Sequence, residues 1–136
     1  MKTSALLARV LLGLIFVVFG LNGFLHFIPA PPPAGLGGQF FGALYASHYL
    51  AFIWLVQIVA GTLLLTNRFV PAALAILAPV LVNIALFHIF MAPVAYAPAV
   101  ISVLLWTIVF VQERAAFQPL LVAKATESSR PTASES

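Results

Sequence analysis

Ionised side chains are so sparse in this chain that their spacing constrains the fold more than any other feature. Lys2, Arg9, Arg68, Glu113, Arg114, Lys124, Glu127, Arg130 and Glu135 are the whole set. From Val10 to Asn67, and again from Phe69 to Gln112, no Asp, Glu, Lys or Arg occurs. Each stretch is too long for one membrane crossing of about 20 residues and long enough for two. The chain is therefore predicted to be an all-α membrane protein, a bundle of four transmembrane helices. With 63% hydrophobic and 7% charged residues, against roughly 25% charged in an average soluble domain, a water-soluble fold of this size could not cover itself.

The charge balance excludes another class. A formal net charge of +3 could suggest nucleic-acid binding, but the basic residues are scattered and form no patch that could follow a phosphate backbone. Cysteine is absent, so this chain offers no disulfide, thiolate nucleophile or cysteine-bound zinc.

The spans are expected at about residues 5–28, 48–65, 71–90 and 98–112, within a transmembrane domain of residues 1–117. Residues 118–136 then form a cytoplasmic tail whose distal part, from Thr126, has a disordered composition. Lys2 and Arg9 flank the first apolar run as they would in a secretory signal, but no small-x-small cleavage site follows Gly20, so a spanning helix is expected. The connection from Pro29 to Ser47 begins Pro-Ala-Pro-Pro-Pro-Ala-Gly-Leu-Gly-Gly, which cannot continue a helix. Gln39 to Ser47 then reads as a short interfacial or re-entrant helix, a lid over the outer mouth of the bundle. Thr66 to Pro71 predicts a tight turn, and Pro79 predicts a kink in the third span unless neighbours supply the missing bond. Cytoplasmic loops are enriched in Lys and Arg. With both termini inside, all six basic residues are cytoplasmic and the two outer loops carry none.

The strongly polar side chains within or near the spans are Asn22, His26, His48, Gln57, Asn83 and His88. Each needs a partner in hydrocarbon, so together they form the candidate ligand-binding set, a polar pocket towards the outer face. Asn22 and His26, four apart, share a helix face. Asn83 and His88 diverge by about 140°, so one faces the bundle and the other its surroundings. The plainer alternative, interfacial histidines and amides that join helices, outweighs this functional reading, because no acidic ligand accompanies them and their spacing is not that of a dedicated metal motif. No catalytic or metal-binding residue is assigned. Gly13 and Gly20 lie on one stripe suited to close helix packing.

Three runs carry a resemblance: Gly13-Leu-Ile-Phe-Val-Val-Phe-Gly-Leu-Asn-Gly-Phe-Leu-His-Phe-Ile-Pro29, Asn67-Arg-Phe-Val-Pro71, and Ala78-Pro-Val-Leu-Val-Asn-Ile-Ala-Leu-Phe-His-Ile-Phe-Met-Ala-Pro93. Over about residues 9–117 the chain resembles the DoxX family. The resemblance implies a small four-helix protein of the bacterial inner membrane. That family is named for the membrane subunit of a thiosulfate:quinone oxidoreductase, and some relatives are linked to thiol and oxidative-stress assemblies. It brings no catalytic set to this chain, and the missing cysteines argue against direct thiol chemistry. The expected role is an accessory or ligand-binding subunit for quinone or lipid, linked to redox or stress functions, and more a binding protein than an enzyme. Quinone is the one cofactor under consideration. The expected partners are the bilayer, membrane or redox proteins, or further copies of the chain. The alternatives are a quinone-reactive oxidoreductase subunit and a small-solute transporter, the latter disfavoured because no charged residue lies within the bundle to couple ions.

Overall fold

The computed structural model describes residues 2–123. The described chain is all-helical: α1 (Lys2–Leu25), α2 (Gly35–Ala46), α3 (Tyr49–Leu65), α4 (Val70–Phe90) and α5 (Ala97–Glu113), followed by a 3₁₀ helix, Arg114–Leu121. No strand occurs among the described residues. The tail expected to be disordered from Thr126 lies outside them.

Three of these helical stretches, α1, α4 and α5 with its 3₁₀ continuation, are long and apolar enough to cross a membrane. A fourth is reached if α2 and α3, bent by 84° at their junction, count as one broken span. The surface agrees with a lipid solvent, since large apolar side chains such as Leu7, Phe52, Leu55, Ile89 and Leu104 are each more than half exposed. Among the described residues, the only polar side chains in the core are Gln57 and Ser102. The Ser102 hydroxyl donates to the Pro98 carbonyl of its own helix.

The four long helices close a ring of contacts, α1 against α3 and α5, and α4 against α3 and α5. Their register follows from paired residues. Arg9 meets Leu64, Gly13 meets Gly61 and Gly20 meets Trp54, so α1 runs antiparallel to α3. The Gly13/Gly20 stripe does pack closely: a Cβ on Gly13 would lie 2.9 Å from the Gly61 carbonyl oxygen, and one on Gly61 would lie 2.8 Å from that of Gly13. Only glycine at both positions lets the backbones meet. The indole of Trp106 in α5 donates to the Leu74 carbonyl in α4 at 3.0 Å, while the far end of α4 meets the start of α5. One end of the ring thus collects Lys2, Arg9, Arg68 and Arg114, and the other His26, His48 and His88.

Several boundaries differ from expectation, for local reasons. Helix α2 begins at Gly35 rather than Gln39. Ala34 is extended at its N-cap, and Gly35 adopts a φ of +62° that other residues avoid. Helix α4 continues as one α-helix through Pro79. Side chains bond to the helix on either side of the proline, the Trp106 indole donating to the Leu74 carbonyl and the Asn83 amide to the Pro79 carbonyl, although neither reaches the Ala75 carbonyl that Pro79 leaves without an N–H. The chain also stays helical past Glu113 to Leu121, with Phe110 and Phe117 in ring contact at 4.9 Å between the two segments. The expected turn is present, with Asn67 and Phe69 left-handed and Pro71 in the first turn of α4.

The fully buried core gathers at the basic end. Leu12, Leu64, Leu74 and Leu77 are completely enclosed, with Phe16, Ala60, Ala73 and Val109 around them. Arg9 closes this end by donating to the Leu64 carbonyl in the last turn of α3. A cation there adds a second donor to a carbonyl that also accepts the Asn67 N–H, and opposes the negative end of the helix dipole.

Candidate functional site

Sequence placed six polar residues near one end, and the structure distributes them over three kinds of environment. Asn22 and His26 shape the exit from α1. The Asn22 side-chain oxygen accepts the Ile28 N–H at 2.6 Å, and its carbonyl accepts the His26 N–H at 2.8 Å. His26 ends the helix in the left-handed region, with φ of 53°, and its side chain is exposed. His48 plays the mirror role at the N-cap of α3, with φ of 61°, and is likewise exposed. These residues turn the chain where α1 stops and where α2 bends into α3.

Asn83 is exposed, its amide donating to the Pro79 carbonyl one turn earlier at 2.8 Å. It is thus satisfied within its own helix. Gln57 differs: it is 8% exposed, lies against Gly20, and has no hydrogen-bond partner among the described residues. None of its polar atoms is sealed off completely, so the amide retains a narrow access path.

Of the six, His88 lines the cleft between the end of α4 and the start of α5, which has a volume of ≈ 410 Å³. Ala85, His88 and Ile89 form its α4 wall, at i, i+3 and i+4, which places them on one face. Ala99, Val100, Val103 and Leu104 form the α5 wall, and Pro93 and Tyr96 of the connecting turn stand at the mouth. The 140° divergence of Asn83 and His88 thus resolves with His88 at the cleft and Asn83 outside it.

The chemistry of the cleft follows from one contact. His88 Nδ1 lies 3.2 Å from the Ala92 carbonyl oxygen. A carbonyl only accepts, so Nδ1 carries the proton, and in the neutral ring Nε2 is left as an acceptor. The Phe87 ring stands edge-on to the imidazole at 5.5 Å, restricting it further. Apart from His88 and the exposed Tyr96, the lining is apolar. Such a cleft suits an elongated apolar molecule with one polar end.

Helix α2 passes over the same end. Gly37 packs on the Met91 carbonyl, where a Cβ would come within 2.9 Å, and Phe40 meets Phe87 at 6.1 Å. At its other end Tyr45 contacts Trp54 of α3 at 6.3 Å. The segment behind His88 is therefore held from above by α2.

Sequence reasoning missed Tyr96 and the small walls Ala85 and Ala99. Counting outward from His88 would have found Ala85 and Ile89, but the opposing α5 face depends on tertiary register. Arg9 was read only as an orientation signal, yet it also ties α1 to α3. Among the described residues, no three of His, Cys, Asp and Glu come together in a group that could hold a metal ion. Compared with protein-family models, with curated proteins and with solved structures, the chain matches none.

Proposed function

We propose that this chain is a DoxX-like, four-span protein of the bacterial inner membrane, with both termini cytoplasmic, that acts as a ligand-binding accessory subunit linked to redox or stress functions. Its ligand is an apolar molecule with a polar head, a quinone or a lipid, seated between α4 and α5. The observation that carries this reading is His88: a single imidazole, oriented by the Ala92 carbonyl, on the wall of an otherwise apolar cleft. A hydroxyl of the ligand, that of the reduced quinol or of a lipid headgroup, would donate to Nε2 while the tail lies along Val100, Val103 and Leu104.

The four-span arrangement is supported by the antiparallel ring of helices and by the separation of charge. All four basic side chains of the described residues sit at one end, as cytoplasmic loops require. The α2–α3 unit supplies the broken span, with α2 lying across the outer end at the level of the headgroups.

The test is purification from native membranes in mild detergent, with organic extraction and mass spectrometry of what is retained. Wild-type protein is expected to carry a quinone or lipid in stoichiometric amount, and His88→Ala to lose most of it while remaining folded. Recovery of wild-type protein with no apolar ligand sinks the binding role. Because the chain has no cysteine, single cysteines at Ser47 and Thr66 report orientation. Labelling of Thr66→Cys from outside intact cells would refute the assigned topology.

A further inference from the structure

A second groove lies at the opposite, basic end, where α5 passes into the 3₁₀ helix Arg114–Leu121. It has a volume of ≈ 440 Å³ and is lined by Phe110, Arg114, Phe117, Gln118, Leu120 and Leu121. We propose that this groove binds an anionic glycerophospholipid of the leaflet at the basic end, its phosphate held by Arg114 and its acyl chain lying on Phe110 and Phe117.

Three observations converge on that occupant. Arg114 and Gln118 both line the groove, so a guanidinium and an amide are presented to it together. A guanidinium offers paired donors that match phosphate geometry. Among the described residues no group hydrogen-bonds or forms an ion pair with Arg114, and its neighbour Glu113 leaves it free. The rest of the lining is aromatic and aliphatic, and beyond it Leu120, Leu121 and Val122 are 75%, 83% and 67% exposed. Apolar tips next to a cation that has no partner among the described residues are the pattern of a segment lying at a membrane surface rather than in water.

The floor of the groove is connected to an optical reporter. Phe110 stacks on Trp106 with ring centres 4.9 Å apart and planes 9° apart. Trp106 is fixed from behind by its bond to the Leu74 carbonyl. An acyl chain in the groove therefore lies one ring away from an indole that cannot swing aside.

This inference rests on the membrane reading above but not on the ligand of the α4–α5 cleft. The test reconstitutes the full chain carrying Trp54→Phe, so that Trp106 is the sole tryptophan. The bilayers are zwitterionic phosphatidylcholine doped with either phosphatidylglycerol or phosphatidylcholine brominated in the acyl chains. Brominated phosphatidylglycerol is expected to quench Trp106 with about fivefold preference, the gain that one basic side chain confers near anionic lipid. Arg114→Gln is expected to reduce the preference to about unity, and Arg114→Lys to retain part of it. Equal quenching by both lipids in the parent protein overturns the proposal while leaving the membrane reading intact. Absence of quenching by either overturns both. Should Trp54→Phe not fold, native mass spectrometry of the wild-type chain with the same two unbrominated lipids gives the same comparison. There, equal retention of the two lipids overturns the proposal.

Discussion

The two halves of this molecule are made from the same residues and packed to opposite effect. At the basic end, Leu12, Leu64, Leu74 and Leu77 are enclosed, the short turn of residues 66–69 keeps α3 beside α4, and Arg9 bonds to the end of α3. At the histidine end, Ala85, Ala99 and Val103 line an open cleft between the end of α4 and the start of α5, which are joined by residues 91–96. Leucine, alanine and valine dominate both. Apolar composition therefore does not make a core. The way facing side chains meet does, and where small residues such as Ala85 and Ala99 face one another the same composition leaves room for a guest.

That contrast can be broken most severely at the glycine seam. Gly61→Val places a branched side chain against the Gly13 carbonyl, a backbone atom that cannot move aside. The expected loss is about 3 kcal/mol, read by unfolding in mixed detergent micelles. A loss below ~0.5 kcal/mol would mean the helices do not touch there. Next in size, Arg9→Met keeps the packing of the stem but removes the donor to Leu64, and should cost about 2 kcal/mol in the same assay. Insensitivity to this change would place the guanidinium elsewhere, in the headgroups.

Between the two halves, Gln57 is nearly buried without a partner, so Gln57→Met is expected to stabilise the ligand-free protein by about 1 kcal/mol. Destabilisation instead would show that the amide has a bound partner, and would extend the guest's reach towards the middle of the bundle. The smallest effect belongs to the loose half. Ala85→Leu projects into the cleft and is expected to change stability by no more than about 0.5 kcal/mol while displacing retained ligand. A cost like that of Gly61→Val would mean that the two halves are packed alike.

What could be read beforehand separates along physical lines. The helices were legible because hydrocarbon thickness, proline and charge punctuate the chain at short range. Tyr49–Leu65 and Ala97–Glu113 fall within a residue of the spans drawn from sequence. The glycine stripe was legible because a seven-residue period needs only helix geometry. The fate of the polar residues was not. His26 and His48 take left-handed caps, and Asn22 and Asn83 bond to backbone of their own segments. Such local solutions compete with a shared pocket, and residue type alone does not reveal which prevails. The cleft at His88 needed the register of α5 against α4, a long-range fact. The helical path past Arg114 depended on Phe117 finding Phe110.

The contact between Arg9 and Leu64 also orders events in time. Its two partners are separated by 55 residues, so at about 5–20 residues per second the arginine emerges roughly 3–11 s before the carbonyl it will bind. During that interval its charge has no intramolecular partner and must remain among headgroups and water, its stem lying along the apolar surface. On the membrane reading proposed above, the first helix is thereby held at the membrane boundary by its own cation until the third arrives to take over.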